Sequence, residues 1–441
     1  MSDWKVYKLG ELVEITSSKR IMRSDYTPSG ISFFRSKEII ELNKGNSIST
    51  ELFISKEKYI EIRNKFGTPE QGDMLLTSVG TLGIPYLVKN TDKFYFKDGN
   101  LTWFRNFSNK LNSKFLFYWI SSNVGKKQIE KISIGSTQKA LTIVGLKSLE
   151  INIPSIDTQL KIIKILDSLS QKIHLNQQTN QTLEQIAQAI FKSWFVDFDP
   201  VRAKADCLAN GCSMADANLS AMGVISGKSL DELAQLQADN PQDYDELWQL
   251  AEHFPCELVE NAEFGEVPKG WEVKKIGEVV ERLKNSQKLK KEHISDTGET
   301  PVFEQGANIL MGYTDENPSQ KATLKEPIFI FGDHTCITQI STKPFSIYQN
   351  VIALKGLNLP TYWVYWAIKD KQKFQEYRRH YMEFIIKEII VPDDEVLCQH
   401  FSNIVSSFHQ KIDFLREENR KLVKIRDELL PKLLSGELLN E

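Results

Sequence analysis

DTQLKIIKILDSLSQKIHLNQQTNQTLEQIAQAIFKSWF, residues 157–195, decides the architecture of this chain. Its inward positions are Ile162, Leu166, Leu169 and Ile173, then Asn176 and Asn180, then Leu183, Ala187, Ile190 and Trp194. The steps alternate four and three, the heptad spacing of a helix with one long packing seam. Adding 239 to each number brings the seam back as Phe401, Val405, Phe408, Ile412, Leu415, Asn419, Leu422, Arg426, Leu429 and Leu433. At ~1.5 Å per residue each helix extends roughly 60 Å, more than a globular domain needs. The pattern predicts two rods packed on each other as a spacer, with Asn180 and Asn419 fixing their register if buried.

The repetition reaches beyond the rods. DWKVYKLGELVEI at 3–15 returns as GWEVKKIGEVVER at 270–282, with Trp4 on Trp271, Gly10 on Gly277 and Glu11 on Glu278. The chain therefore reads as one large duplication. The expected layout is a globular domain over 1–154, a long helix over 155–196, an acidic connector over 197–267, a second globular domain over 268–392 and a second long helix over 393–438. The expected class is α+β: two mixed α/β domains joined by two long antiparallel helices in a coiled coil, with an approximate two-fold.

Within the first domain, GDMLLTSVGTLGIPYLVKN at 72–90 predicts two strands around Gly80 and Gly83,. KFYFKDGNLTWF at 93–104 predicts a hairpin on Asp98-Gly99,. NSKFLFYWISSNVGKKQIEKI at 112–132 has helical spacing, and LEINIP closes the domain as a strand. The second domain echoes this in EPIFIFGDHTCITQI, PFSIYQNVIAL, the helical LPTYWVYWAIKDKQKFQEY and KEIIVP. Pro200 is expected to stop the first rod, with SLDELAQLQ and YDELWQLAEHF as two short helices in the connector. Ser435-Gly436 ends the second rod.

The net charge of −3 is unevenly spread. Residues 1–150 hold 23 Lys+Arg against 15 Asp+Glu, residues 196–265 hold 3 against 14, and residues 266–390 hold 18 against 16. A basic first domain suits a polyanion, and it equally suits an ordinary solvated surface. No apolar run nears the ~20 residues of a membrane helix and no leader pattern opens the chain, so a cytoplasmic location without membrane association is expected. The five cysteines are scattered. Cys207, Cys212, His253 and Cys256 could in principle hold zinc, but their spacing favours ordinary reduced thiols and no metal.

Missing motifs narrow the function. No two of the fifteen prolines are adjacent, which excludes the Pro-Pro tetrapeptide of amino-methyltransferases. GVISGKS at 223–229 is one residue short of a phosphate loop,. No nucleophile elbow or HExxH is present, and His334 in GDHTC has no paired nucleophile motif. The expectation is a binder and ruler without catalysis. A DNA-binding regulator that dimerises through the rods, or a coiled-coil scaffold, is the competing expectation.

Four stretches, GSTQKALT at 135–142, AIFKSWFVDFDPVRAK at 189–204, GEVPKGWEV at 265–273 and LREENRKLVKIRDELLPKLLSGEL at 415–438, resemble the specificity subunit of type I restriction-modification enzymes. They lie in that family's order, and the two-half layout covers the whole chain. The resemblance implies two target-recognition domains, each reading half of a split site on double-stranded DNA. It also implies that the helices fix the gap between halves and dock two methylation subunits, with motor-nuclease subunits joining for cleavage. S-adenosylmethionine, ATP and magnesium would then belong to those partners, with no cofactor on this chain. The connector's DNPQDYDELWQLAEHF has no assigned role.

Base readout needs polar side chains at groove edges and cations at phosphates. Loop position and clustering select Lys19, Arg20, Arg23, Arg35, Thr77, Ser78, Thr81, Gln138 and Lys139 in the first domain. In the second they select Lys288, Lys290, Lys291, His334, Thr335, Arg378, Arg379 and His380. Asn100 and Asn350 read as turn-formers.

Overall fold

In the computed structural model, the described residues are 4–43, 48, 50–135, 139–285, 289–306, 309–376 and 378–439. The chain divides into two compact units, Met1–Gln177 with Glu417–Glu441, and Gln178–Arg416.

The first unit runs β1 (Lys5–Lys8), α1 (Leu9–Leu12), β2 (Glu14–Thr16), β3 (Tyr26–Thr27), β4 (Ile31–Phe34), α2 (Ser36–Asn43), β5 (Phe53–Ile54), α3 (Lys56–Phe66), β6 (Met74–Thr77), β7 (Pro85–Leu87), β8 (Phe94–Phe96), β9 (Leu101–Arg105), α4 (Ser113–Ser121), α5 (Asn123–Lys131), α6 (Ile143–Ser148) and β10 (Glu150–Ile153). The first half of α7 (Ile156–Phe195) follows. One four-stranded sheet has the order β2-β9-β6-β7, and a second has the order β3-β5-β4-β8. The Gly80 and Gly83 turn joins β6 to β7 as expected, both glycines at positive φ. The expected hairpin at 93–104 does not form. The chain does turn at Gly99, but β8 pairs in parallel with β4, while β9 pairs with β2 and β6. Stacking of Phe94 on Phe34 (centroids 4.3 Å apart) accompanies that long-range partnership. The helical stretch at 112–132 breaks at Ser122, whose hydroxyl caps α5 by accepting from the Gly125 amide.

The second unit continues α7 and then forms α8 (Asp199–Ala209), α9 (Met214–Ser226), α10 (Leu230–Asp239), α11 (Pro241–His253), β11 (Leu258–Asn261), β12 (Gly265–Pro268), β13 (Glu272–Lys275), α12 (Ile276–Val279), β14 (Val280–Arg282), β15 (Thr300–Phe303), β16 (Leu310–Thr314), β17 (Ile328–Gly332), β18 (Thr338–Ser341), β19 (Ser346–Ile347), β20 (Val351–Gly356), α13 (Thr361–Ile368), α14 (Tyr381–Ile385), β21 (Glu388–Val391) and α15 (Glu395–Ser435). Its four-stranded sheet, β14-β20-β17-β18, repeats β2-β9-β6-β7 strand for strand. Its smaller sheet, β16-β15-β19, again contains one parallel pair. In each domain the first and last strands pair antiparallel, β1 with β10 and β13 with β21. The helical reading of 359–377 is too long, since α13 ends at Ile368 and Asp370 turns left-handed.

The connector holds more helix than expected. Pro200 does not merely stop the first rod; it sits in the first turn of α8, where its fixed φ suits a helix start,. Met214–Ser226 forms α9, capped by Ser213 and ended by Gly227 at φ +69°. The GVISGKS stretch is thus a helix end followed by the Ser229 cap of α10. Cys207 and Cys212, expected as separate reduced thiols, stand as a disulfide with Cα atoms 5.3 Å apart. Gly211 at φ +84° reverses the chain after α8, so the Cys212 amide donates to the Cys207 carbonyl. Lys204 is buried, and its ammonium donates to the Ala251 and Phe254 carbonyls, each at 2.7 Å, closing the C-terminus of α11,.

The seam is inward-facing throughout. In the first unit, Ile162 and Leu166 of α7 share a core with Leu430, Leu433 and Leu434 of α15. In the second, Ala187, Phe191 and Trp194 of α7 share a core with Leu397, Phe401 and Val405 of α15. The start of one helix meets the end of the other, so they run antiparallel. Leu169, Ile173, Asn180, Leu183, Ile190, Phe408, Asn419, Leu422 and Leu429 are half-buried, and Ile412 is buried. The polar partner of Asn419 is Asn176, whose Nδ2 donates to Asn419 Oδ1 at 2.8 Å and to Glu418 Oε2 at 2.6 Å.

One seam neighbour makes the second unit acid-sensitive. His409 stacks on Tyr362 (centroids 5.2 Å apart), and burial, helped by Arg416 and Lys369, lowers its pKa to about 4. The folded pKa lies below the unfolded value of ~6.5, so acid favours the unfolded state as pH falls through that window. Stability should drop by about 2 kcal/mol between pH 7.5 and pH 5 from this group alone. His409→Gln should remove that increment from the pH dependence of urea unfolding.

Candidate nucleic-acid interface

Register places the same loops at the same edge of both four-stranded sheets. In the first domain Thr16 lies opposite Trp103 and Thr77 opposite Leu101. The segments 17–22, 78–84 and 97–100 therefore emerge together. In the second, Arg282 lies opposite Leu354 and Gly332 opposite Val351, which gathers 283–285, 333–337 and 348–350. Matching backbone bonds build the two edges. The Ser78 amide donates to Asn100 O as Asp333 does to Asn350 O, and Leu141 donates to Ser78 O as His380 does to Asp333 O. Asn350 is left-handed at φ +58°, a turn role as expected.

In the first domain Arg20 and Thr81 are exposed on these loops, and Arg23 is exposed just after the first of them. Lys19 is exposed too, its ammonium 5.1 Å from the Phe66 ring centroid. Arg35 is committed to Glu38, which is only 2% exposed, at 2.8 Å. Burial raises the Glu38 pKa, but the Arg35 and backbone hydrogen bonds outweigh it, so the carboxyl lies below its usual range. Lys139 is exposed and lies 3.4 Å from Glu130. A cleft of about 270 Å³ between the 80–83 turn and α5 is lined by Lys126, Ile129 and Lys139.

Three candidates must be corrected. Thr77 is 0% exposed and its hydroxyl accepts from the Ile84 amide. Ser78 is 2% exposed, with its hydroxyl 2.6 Å from that of Thr102. His380 is 0% exposed, its ring 2.9 Å from Glu376 O. These side chains shape the loops and present no surface to a base. Gln138 and Lys288 lie outside the described residues.

The second edge is more heavily paired. The buried Asp333 carboxylate accepts from the His380 and Tyr381 amides at 3.1 and 3.0 Å. Arg379 is 80% exposed, with its guanidinium 3.8 Å from Asp333. Arg378 is held by Glu376 at 2.7 Å and by Glu383. Lys290 and Lys291 are exposed, with Lys290 3.4 Å from Glu292. His334 and Thr335 are half-buried. Sequence reasoning missed two residues. Arg282 covers the Tyr381 ring at 5.3 Å, and the cation run from 282 to 291 could have flagged it. Gln305 hydrogen-bonds His334 from 29 residues away, and no local pattern marks it.

An exposed guanidinium near one carboxylate suits a phosphate. Arg379→Ala should therefore weaken duplex binding alike for all sequences and reduce the salt slope by about one. Anisotropy titrations across a salt series would read this, and a loss confined to one sequence would indicate base contact instead.

The family profile described as "Type I restriction modification DNA specificity domain" matches residues 1–185 and 268–400. The chain belongs to this family. Among the type I specificity subunits, it is 32% identical to the Type I restriction enzyme HindI specificity subunit of Haemophilus influenzae, across 99% of this chain and 100% of that one. It is 26% identical to the MjaIX specificity subunit of Methanocaldococcus jannaschii, across 99% and 94%. The crystal structure of the type I S subunit from M. genitalium matches with a TM-score of 0.50 at 17% identity, over 98% and 96% of the two chains. That likeness concerns the fold. A type I specificity subunit is thus the frame in which the two loop edges are read. No helix of the described residues is long and apolar enough to cross a membrane.

Proposed function

We propose that this chain is the non-catalytic DNA-reading subunit of a type I restriction-modification complex, each domain reading one half of a split, asymmetric target. The carrying observation is the duplicated edge: equal sheet order and equal backbone bonds, filled by different side chains. Equal frames suit equal tasks, and unlike loops suit unlike half-sites. The paired helices set the spacer and dock two methylation subunits, and motor-nuclease subunits join for cleavage. S-adenosylmethionine, ATP and magnesium belong to those partners.

The test is an exchange of residues 1–150 for the matching domain of a relative, expressed with the methylation subunits and followed by methylome sequencing. One half of the methylated target should change while the other half and the spacer stay. A change in both halves, or in neither, would overturn the modular reading.

A further inference from the structure

The turn between α8 and α9 is closed twice, once by backbone and once by sulfur. Cys207 lies in the last turn of α8, and Cys212 stands just before Ser213, the N-cap of α9. The Asn210 amide donates to the Asp206 and Cys207 carbonyls, Gly211 donates to Leu208, and Cys212 donates to Cys207 at 3.1 Å. On the far side Ser213 and Asp216 form a capping box that starts α9. These bonds by themselves account for Cα atoms 5.3 Å apart, inside the range a disulfide requires,. The bridged residues are only five apart in sequence, and so short a loop gains least from a covalent tie. The fold therefore does not depend on the sulfur bond. The bridge is also within reach of solvent. Both cysteines are half-buried, and Ala209, Asn210, Gly211 and Ser213 around them are exposed. A disulfide that is accessible and not needed for folding belongs to the labile class that small thiols open.

We propose that Cys207 and Cys212 are a reversible thiol–disulfide pair, a modification site on the connector that exchanges with small disulfides and thiols of the glutathione class. In the closing direction one cysteine thiolate attacks the small disulfide and releases one small thiol. The other cysteine then attacks the mixed disulfide and releases the second. One S–S bond breaks and one forms, and the two cysteine protons and two electrons leave on the two small thiols. Opening is the reverse. The change stays local. Val201 lies in the core of the second unit and Lys204 is tied to the Ala251 and Phe254 carbonyls, so α8 is anchored in both states. Only its last turn and the Gly211 reversal gain freedom on reduction.

The test equilibrates the full chain in mixtures of reduced and oxidised glutathione, alkylates the free thiols and weighs the peptides. The bridged fraction of Cys207 and Cys212 should follow the mixture, and should reach the same value from the open and the closed side. A bridge that stays closed in reduced glutathione would be a structural staple and would overturn the proposal. So would two thiols that stay open in oxidised glutathione, or a bridge from either of them to Cys256. Cys207→Ser removes the second attack, so Cys212 should then carry one glutathionyl group, the trapped intermediate. Hydrogen exchange supplies the second readout. Reduction should speed exchange of the Asn210, Gly211 and Cys212 amides about tenfold while α9 and α11 keep their protection. The double variant Cys207→Ser, Cys212→Ser should fold and should exchange at the reduced rate in every mixture. Loss of protection throughout α8 and α9 in the reduced chain or in that variant would show that the sulfur bond holds the fold, and the pair would not be a reversible site.

Discussion

Four residues, Ala-Leu-Glu-Gln, added to α7 after Gln177 and again to α15 after Arg416 are expected to lengthen the spacer of the methylated target by one base pair, with both half-sites unchanged. The two cuts face each other. Asn176 meets Asn419 on one side, and on the other Glu184 lies 3.6 Å from Arg416. Adding residues to α7 alone would slide one of these sets past its partners, whereas paired insertions keep each set intact. Four helical residues add ~6 Å and a net turn of roughly 40°. One base pair advances about 3.4 Å and about 34°. Rotation decides which groove edge a loop faces, so the closer match in rotation favours one added pair. A four-residue insertion also acts as a stutter, which paired helices tolerate by local unwinding. Methylome sequencing is the measurement. An active variant that keeps its original spacer would show that the helices do not set the distance.

Phe401→Ala should destabilise the second unit by about 3–5 kcal/mol, the usual cost of emptying a buried phenylalanine site. Phe401 is fully buried, with its ring 5.3 Å from that of Phe191, 5.6 Å from that of Phe195 and 6.5 Å from that of Trp194. All three neighbours come from the last turns of α7, so one side chain pins the start of α15 to the end of α7. A chain of two units need not unfold in one step, so a single midpoint would blur the result. Hydrogen exchange resolves it. Protection should fall in β17, β20 and α13, while β6, β9 and α4 keep theirs. Equal loss in both units would contradict the separate cores.

Long periodic features were legible in the sequence because they repeat a local rule. The seam reads at 3.5-residue spacing over forty residues, and its packing partners are where that spacing puts them. The β6–β7 pair was legible because Gly80 and Gly83 mark the turn. The β8–β9 hairpin misled because Asp98-Gly99 marks a turn truthfully but says nothing of partners. The partner of β8 is β4, some sixty residues earlier. In the connector, α9 escaped notice because MADANLSAMGVIS carries little apolar periodicity and two residues that look like breakers. In the candidate loops, the burial of Thr77, Ser78 and His380 is not legible in the sequence. Polarity in a loop does not reveal whether a hydroxyl or imidazole is spent on a neighbouring backbone group. Gln305 was invisible because only the meeting of two sheets brings it to His334.

The β1–β10 and β13–β21 pairings have a consequence for how such a chain can change over generations. Lys5 lies opposite Ile153 and Glu272 opposite Val391, so each domain enters and leaves through neighbouring strands, about 4.8 Å apart. Everything between those two points is a detour that also touches the rods, Lys114 and Tyr118 reaching Asp167 in the first domain and Tyr362 stacking on His409 in the second. A foreign sequence of different length can occupy the detour if its two ends still zip together and it keeps the face that meets the rods. Crossovers between genes at the doorway would then exchange a whole reading head at once, with the rods and the other head untouched. A cell could acquire a new methylation pattern in one event, through a part whose loops away from the rods are free to vary.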